Sequence, residues 1–152
     1  MNKKDLDFIN EDFRFLVRVS AIITDYNCSK IILFKAYEEA PYLLPGGRVI
    51  EMEDSLTAIK REIKEELNID GDYTLVAINE NILKNKKIQN IDFVYHIKID
   101  NIYDVKAIED KNQIFEVVDI LNVRKYDIKP SSVIEIIKKL KKDNKKHFIN
   151  KE

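Results

Sequence analysis

The chain has 152 residues, of which 45% are hydrophobic and 35% are charged, and its formal net charge is −1. This length suits one domain with a buried core, and this composition excludes a disordered chain. The balanced charge excludes a global attraction to nucleic acid or to a membrane surface. No apolar run is long enough for a signal peptide or a bilayer span, so we expect a soluble, cytoplasmic protein.

The first predicted elements are two strands and a glycine turn. Residues Phe13 to Thr24 are rich in β-branched and aromatic side chains and alternate as a strand does. Ile31 to Phe34 follow a polar turn and are predicted to form the partner strand of a hairpin. A short apolar run then stops at Pro45, Gly46 and Gly47, a combination that indicates a loop.

The clearest predicted element is a helix from Ser55 to Leu67. Either Asp54 or Ser55 can cap its start, and Asn68 can adopt the left-handed conformation that ends a helix. Apolar residues recur at steps of three and four, which predicts one buried stripe. The stripe consists of Leu56, Ile59, Ile63 and Leu67.

The second half of the chain predicts further strands and a second helix. The strands are expected over Tyr73–Asn79, Asp92–Ile99 and Ile114–Val118. Ser132 and Glu135 fit a capping box that opens a helix, which runs into a lysine-rich tail over residues 138–152. We see no repeat and no break in composition. The sequence therefore predicts a single α/β domain over residues 1–152.

Three glutamates on the first helix form the main candidate site. Glu62 and Glu66 lie one turn apart on the same face, and Glu65 lies beside them, away from the apolar stripe. Such a run alone is usually a solvated surface. However, like charges about 5 Å apart repel, so a divalent cation would relieve the cluster, and carboxylate oxygens select Mg²⁺ or Mn²⁺.

The glycine turn that precedes the helix complements these carboxylates. Gly46 and Gly47 have no Cβ atom, so their backbone groups can approach an ion or a phosphate closely. We therefore name Gly46 as a candidate metal contact and both glycines as candidate binding residues. Most glycine pairs are ordinary turns, so this pair indicates a binding site only together with the glutamates.

Taken together, these residues resemble the signature of the Nudix (MutT-like) hydrolases, G-x5-E-x7-R-E-U-x-E-E-x-G-U, where U is a bulky aliphatic residue. One position departs, because Asn68 stands where the family has glycine, and asparagine also tolerates a positive φ. The positions that match the signature are Gly47, Glu53, Arg61, Glu62, Ile63, Glu65, Glu66 and Ile69.

The resemblance implies an α/β/α sandwich with a mixed central sheet and hydrolysis of a pyrophosphate linkage in a nucleotide-like substrate. It implies that Glu62, Glu65 and Glu66 bind Mg²⁺ or Mn²⁺. Glu62 is one candidate for the general base, and Glu109, an acid in the segment before the last predicted strand, is another. Arg61 and Glu53 are implied to form an ion pair that orients the glutamates.

Two other functions stay open. One is a non-catalytic domain that senses a nucleotide, although such domains commonly lose glutamates that this chain keeps. The other is processing of RNA 5′ ends, in which the lysine-rich tail would hold the backbone. Binding to nucleic acid or membrane is otherwise not expected. No motif defines the substrate or the oligomeric state, so a homodimer stays an option.

Other reactive or aromatic side chains have simpler interpretations. Cys28 is expected to be an inert thiol, because no histidine lies near it in sequence. His96 is expected to be structural or to line a pocket, since His147 lies in the tail. Tyr37 and Tyr42 could stack on a base but are more often packing residues.

Overall fold

The computed structural model describes residues 3–108, 112–140 and 147–152. In these residues, eight strands form one mixed sheet, and two α-helices flank it. The strands are β1 (Asp7–Asn10), β2 (Phe13–Thr24), β3 (Lys30–Lys35), β4 (Gly46–Arg48), β5 (Thr74–Leu83), β6 (Ile88–Lys98), β7 (Ile114–Asp119) and β8 (His147–Lys151). The helices are α1 (Ser55–Leu67) and α2 (Ser132–Lys138), and short 3₁₀ helices cover Lys84–Lys86, Ile102–Asp104 and Ile120–Lys125.

Strand β2 is the centre of the sheet. The strand order is β7-β3-β2-β6-β5-β8, and both β1 and β4 also pair with β2. β2 runs parallel to β6 from the pair Arg14–Ile88 to the pair Thr24–Lys98. β4 pairs antiparallel with the middle of β2. The glycine turn is therefore fixed to the most central strand of the fold.

The core has two halves, one on each face of the sheet. α1 packs on one face through a cluster that includes Ile23, Ile59 and Ile63. α2 packs on the other face, against Ile22 and Val94. The arrangement is an α/β/α sandwich with a mixed sheet, as the resemblance to the Nudix signature implied. Every helix in the described residues is too short or too polar to cross a bilayer.

Helix α1 has the predicted bounds and caps. Asp54 is the N-cap, and its Oδ1 accepts a hydrogen bond of 2.9 Å from the backbone N–H of Thr57. Asn68 has φ of 54° and donates its N–H to the carbonyl of Lys64 over 3.0 Å. The prediction for Leu56 is wrong, because this side chain lies in the first turn and is 38% exposed. Ala58 is buried instead.

The C-terminal part of the chain differs from its prediction. Ser131, and not Ser132, is the N-cap of α2, and it makes no side-chain capping bond. Ser132 Oγ instead donates to Oδ1 of Asn79 over 3.2 Å. α2 ends at Lys138, and His147–Lys151 form strand β8, parallel to β5. The chain returns to the sheet because Phe148, at 6% exposure, completes the core under α2.

The left-handed conformation of Asn68 yields a test of the end of α1. Asn68→Val should lower the free energy of unfolding by about 1–2 kcal/mol, because a β-branched residue is strained at positive φ. Asn68→Gly, the matched control, should stay within about 0.5 kcal/mol of the parent. Urea unfolding measures both. Equal losses of unfolding free energy in both variants would show that stability depends on the asparagine side chain and not on the left-handed backbone conformation.

Candidate active site

The prediction of a loop at the glycine turn was wrong, because Gly46 and Gly47 lie in strand β4, tightly against β2. Gly46 pairs with Ser20, and Gly47 pairs with Val19. A Cβ atom on Gly46 would overlap the carbonyl oxygen of Val19. A residue with a side chain at this position would therefore push β4 away from the sheet. The first glycine is thus required for the sheet itself.

The second glycine makes room for a catalytic candidate. A Cβ atom on Gly47 would overlap the carboxylate of Glu62, which reaches across from α1. The Glu62 side chain is 16% exposed, so most of it is packed against this turn. The space that the sequence suggested for an ion or a phosphate is thus occupied in part by a carboxylate from the helix. Gly47 and Glu62 form one structural unit.

Arg61 is the centre of the site. Its Nε and Nη2 atoms bind the two carboxylate oxygens of Glu53 at 2.8 and 2.9 Å. Nη2 also donates to the carbonyl oxygen of Arg48 over 3.0 Å. Nη1 lies 2.8 Å from Oε1 of Glu62 and 3.5 Å from Oε2 of Glu65. One guanidinium therefore joins the loop before α1, strand β4 and the acidic face of α1.

The ion pair between Arg61 and Glu53 controls the charge of both groups. The Glu53 side chain is 6% exposed, and its Oε1 also accepts from the backbone N–H of Ile50 at 3.2 Å. The hydrogen bonds from Arg61, followed in size by burial in the opposite direction, hold the pKa of Glu53 below its ordinary value. The Glu53 carboxylate in turn raises the pKa of Arg61. Both groups are charged at neutral pH.

The remaining candidate residues differ in how exposed they are. Glu65 is 45% exposed. Glu66 is half-buried, and its backbone carbonyl accepts from the N–H of Ile108 at 2.9 Å. Glu109 lies outside the residues that the structure describes. Across the described ranges, no group of three or more His, Cys, Asp or Glu side chains converges in the manner of a metal site.

The donor set nevertheless fits a hard divalent cation. Three carboxylates, those of Glu53, Glu62 and Glu65, surround the single guanidinium of Arg61, which leaves an excess of negative charge. The side chains offer only carboxylate oxygens, and the missing Cβ of Gly47 brings one of them against the backbone of β4. Oxygen donors with excess negative charge favour Mg²⁺ or Mn²⁺.

A polar floor on the opposite face of the sheet was not predicted from the sequence. Its members are buried and face each other across β5, β6 and β8: Asn79, Asn81, Asn90, Asp92 and Asn150. Asn150 donates to Asn81 over 2.7 Å, and Ser20 Oγ donates to Oδ2 of Asp92 over 2.7 Å. The alternation of Asn and Asp at 79, 81, 90 and 92 was the available signal, because alternate strand residues share a face.

The polar floor opens into a cavity of about 590 Å³ that reaches the glycine turn through Arg48. A larger cavity of about 910 Å³ lies at the C-terminal end of α1, between Asn68, His96 and Asp100. None of the residues that contact Arg61 lines this larger cavity. Of these two cavities, the smaller one borders the candidate site, because Arg48 lines it and also contacts Arg61.

The structure changes the interpretation of Cys28. His96 Nε2 lies 3.9 Å from Cys28 Sγ and 2.8 Å from Thr24 Oγ1, so a histidine does lie beside the thiol. The sequence shows no histidine near Cys28, and the pairing of β2 with β6 brings His96 beside it from 68 residues away. The inertness of this thiol stays a prediction. Burial lowers the pKa of His96, and Lys98 lowers it further. His96 also lines the larger cavity.

The two tyrosines before the glycine turn have different environments. Tyr42 donates to Oε2 of Glu116 over 2.9 Å, and its ring packs edge-on against Tyr126. The ammonium of Lys35 lies 4.7 Å from the centre of the Tyr42 ring. Tyr42 is therefore a packing residue. Tyr37 is 61% exposed.

Comparison with known proteins identifies the fold. No family model matches the sequence, and no curated protein matches it significantly. Solved structures do match. The MutT protein from Bacillus halodurans aligns with a TM-score of 0.70 at 17% identity, covering 90% of each chain.

Two further structures agree with that match. The MutT protein from Methanosarcina mazei Go1 has a TM-score of 0.68 at 19% identity, over 86% of this chain and 95% of that one. The MutT NUDIX hydrolase from Burkholderia pseudomallei has a TM-score of 0.65 at 21% identity, over 83% of this chain and 98% of that one. The chain therefore has the Nudix fold.

The charge of Glu53 can be tested through the pH dependence of stability. Because its folded-state pKa is lowered, the ion pair stabilises the fold above the ordinary value of 4.5 and loses its contribution as the pH falls through the folded-state value. Glu53→Gln should therefore cost about 1–3 kcal/mol at pH 7 and progressively less below pH 4.5. Urea unfolding between pH 3 and 7 measures this difference. A difference that does not vary with pH would contradict the assignment.

Proposed function

We propose that this protein is a Nudix-family hydrolase that cleaves a pyrophosphate linkage in a nucleoside diphosphate joined to another moiety. The observation that supports this proposal most is the contact set of Arg61, which holds Glu62 against Gly47 and Glu53 behind it. A solvated helix face would not bury Glu53 or require a glycine opposite Glu62. The Nudix fold supports the same reaction class.

The reaction needs a divalent cation, and the chain offers residues to hold one. Glu62, Glu65 and Glu66 would bind Mg²⁺ or Mn²⁺, with the backbone of Gly46 as a further contact. When bound, the cation neutralises the diphosphate charge and lowers the pKa of the attacking water. Arg61 orients Glu62 and Glu65, and Glu53 fixes the plane of the guanidinium. Glu53 and Arg61 are therefore positioning residues.

Proton removal from water requires a carboxylate that is ionised and aimed at the attacking oxygen. Glu62 is our first candidate, because Arg61 and the glycine turn fix its carboxylate. Glu109 is the second candidate. A domain that only senses nucleotides would share this fold and would bind a nucleotide without releasing product, so a turnover assay on a nucleotide panel separates the two functions.

Metal binding can be measured without any substrate. The excess negative charge around Arg61 predicts that millimolar Mg²⁺ or Mn²⁺ raises the melting temperature at neutral pH. Glu62→Gln should reduce this shift, because it removes one of the charges that the cation neutralises. Glu51→Gln, the matched control, changes an exposed glutamate in the loop before α1 and should keep the full shift. Isothermal calorimetry that detects no divalent binding at millimolar concentrations would contradict the proposed site.

Catalysis tests the glutamates directly. Glu62→Gln and Glu66→Gln keep the size and the helix propensity of the side chain but remove its charge. We expect each to lower kcat by about two orders of magnitude or more, on the substrate that the wild type hydrolyses best across a Mg²⁺ series. The Glu51→Gln control should keep the wild-type rate. Near-wild-type rates in both glutamate variants at low Mg²⁺ would show that the chemistry lies elsewhere.

A further inference from the structure

The sheet face that carries α1 continues beyond the helix. Val17 and Val19 of β2 pack against the core cluster under α1. Phe15 lies on the same side, because alternate residues of a strand share a face. Its pairing partners are Phe8 of β1 and Gln89 of β6, so this face extends across the sheet near the start of β2.

Strands β6, β5 and β8 continue the same face. Gln89 pairs with Ile82 of β5, and Ile91 lies two residues further along β6. Glu80, which pairs with Ile91, also pairs with Ile149 of β8. Five strands therefore contribute side chains to one continuous surface beside α1.

This surface, which we call the open face, is apolar although it meets solvent. Its apolar members are Phe8, Phe13, Phe15, Ile82, Ile91 and Ile149. Phe8 is 58% exposed, Phe13 is 42% exposed and Ile149 is 55% exposed, and the other three are half-buried. Within the described part of the chain, neither core cluster includes any of the six. A solvated sheet face normally carries polar side chains, so this one indicates an interaction surface.

The charged side chains of the open face have both signs. Oε2 of Glu80 lies 2.6 Å from Nε2 of His147, and Lys151 is exposed at the end of β8. At the edge formed by the β1–β2 turn, Asp12 pairs with Lys87. A surface with an apolar centre and mixed charges at its border suits a protein partner better than a nucleic acid or an anionic membrane.

Helix α1 limits how a partner can cover this face. Two sheets that pack face to face lie about 10 Å apart, which leaves no room between them for a helix of about 10 Å diameter. A second copy of the chain would carry its own α1 on the same face. The two helices avoid the opposite sheet only if the copies run antiparallel, related by a two-fold axis perpendicular to the strands.

The open face is complementary to itself in this orientation. Strand β8 of each copy would lie over β8 of the other in the reverse direction, which brings Lys151 of one copy beside Glu80 of the other. The β1–β2 hairpins would face each other in the same way, so that their aromatic rings pack together. Charge and apolar surface are thus matched by a second copy without any further partner.

We propose that the open face is the interface of a homodimer, in which two copies pack their sheets antiparallel about a two-fold axis. The exposed parts of Phe8, Phe13 and Ile149 amount to roughly 300 Å² per copy. The half-buried members of the face add to this area, which places the interface near the lower end of specific complexes. The dimer is therefore reversible, and it does not depend on the proposed hydrolysis.

Sedimentation velocity tests the dimer without a substrate. We expect the wild-type protein to change from monomer to dimer between about 1 and 300 µM. Phe8→Asp and Ile149→Asp each place a charge in the apolar face and should raise the dimer Kd roughly tenfold or more. Leu121→Asp is the matched control, because Leu121 is 95% exposed in the 3₁₀ helix Ile120–Lys125, and it should keep the wild-type Kd. Urea unfolding checks that each variant folds.

A charge exchange tests the antiparallel orientation. Lys151→Glu should weaken the dimer roughly threefold or more at low ionic strength, because it sets two carboxylates side by side across the interface. Adding Glu80→Lys to the same chain should restore the affinity, since opposite charges meet again. Lys125→Glu, the matched control, makes the same change of charge in the 3₁₀ helix Ile120–Lys125 and should leave the dimer Kd as it was. These exposed substitutions also keep the test available if an aspartate variant does not fold.

Several results would overturn the proposal. A wild-type protein that stays monomeric at about 300 µM would do so, because the area of the open face predicts association below that concentration. A dimer that keeps its Kd in Phe8→Asp and Ile149→Asp would have its interface elsewhere, and loss in Leu121→Asp alone would place it on the 3₁₀ helix. A monomer that binds phosphatidylcholine vesicles, and loses this binding in Phe8→Asp, would assign the open face to a membrane instead.

Discussion

The geometry of the candidate site depends on the planar guanidinium of Arg61. It binds both oxygens of Glu53, the carbonyl of Arg48 and the carboxylate of Glu62, all within 3.0 Å. These partners belong to the loop before α1, to β4 and to α1. A lysine has one compact ammonium group and could not hold three segments in a fixed plane. The position of the acidic helix face relative to the glycine turn follows from this one side chain.

The same arrangement opposes the stability of the fold. Arg61 neutralises only part of the charge of the glutamates around it, and Glu53 is nearly excluded from water. Carboxylates collected in this way destabilise a protein unless each finds a partner. Functional sites commonly retain such unfavourable charge because the ligand, and not the fold, completes them. The close packing of Gly47 against Glu62 is consistent with this view, since position 47 has no side chain and so leaves space for the charged carboxylate of Glu62.

The two faces of the sheet carry different groups of polar side chains. The face under α1 carries an apolar core and, at its edge, the charged contacts of Arg61. The opposite face carries the core under α2 and then changes to the polar floor, in which Asn81, Asn150 and Asp92 make side-chain hydrogen bonds. β4 contacts both regions, because Arg48 lines the cavity and also accepts from Arg61. Strand β4 thus places this cavity beside the acidic face of α1.

The sequence by itself determined the features that depend on neighbouring residues. The bounds of α1, its Asp54 cap and its Asn68 end were predicted, because helix periodicity and capping act over a few residues. The pairing of Arg61 with Glu53 was implied by the resemblance to the Nudix signature, and the structure has it. The tertiary structure decided three other features. These are strand β8, the contact of His96 with Cys28, and the hydrogen bond from Ser20 to Asp92, which lie 72 residues apart. These contacts exist only after strands pair across the sheet, and no local pattern encodes which strands become neighbours.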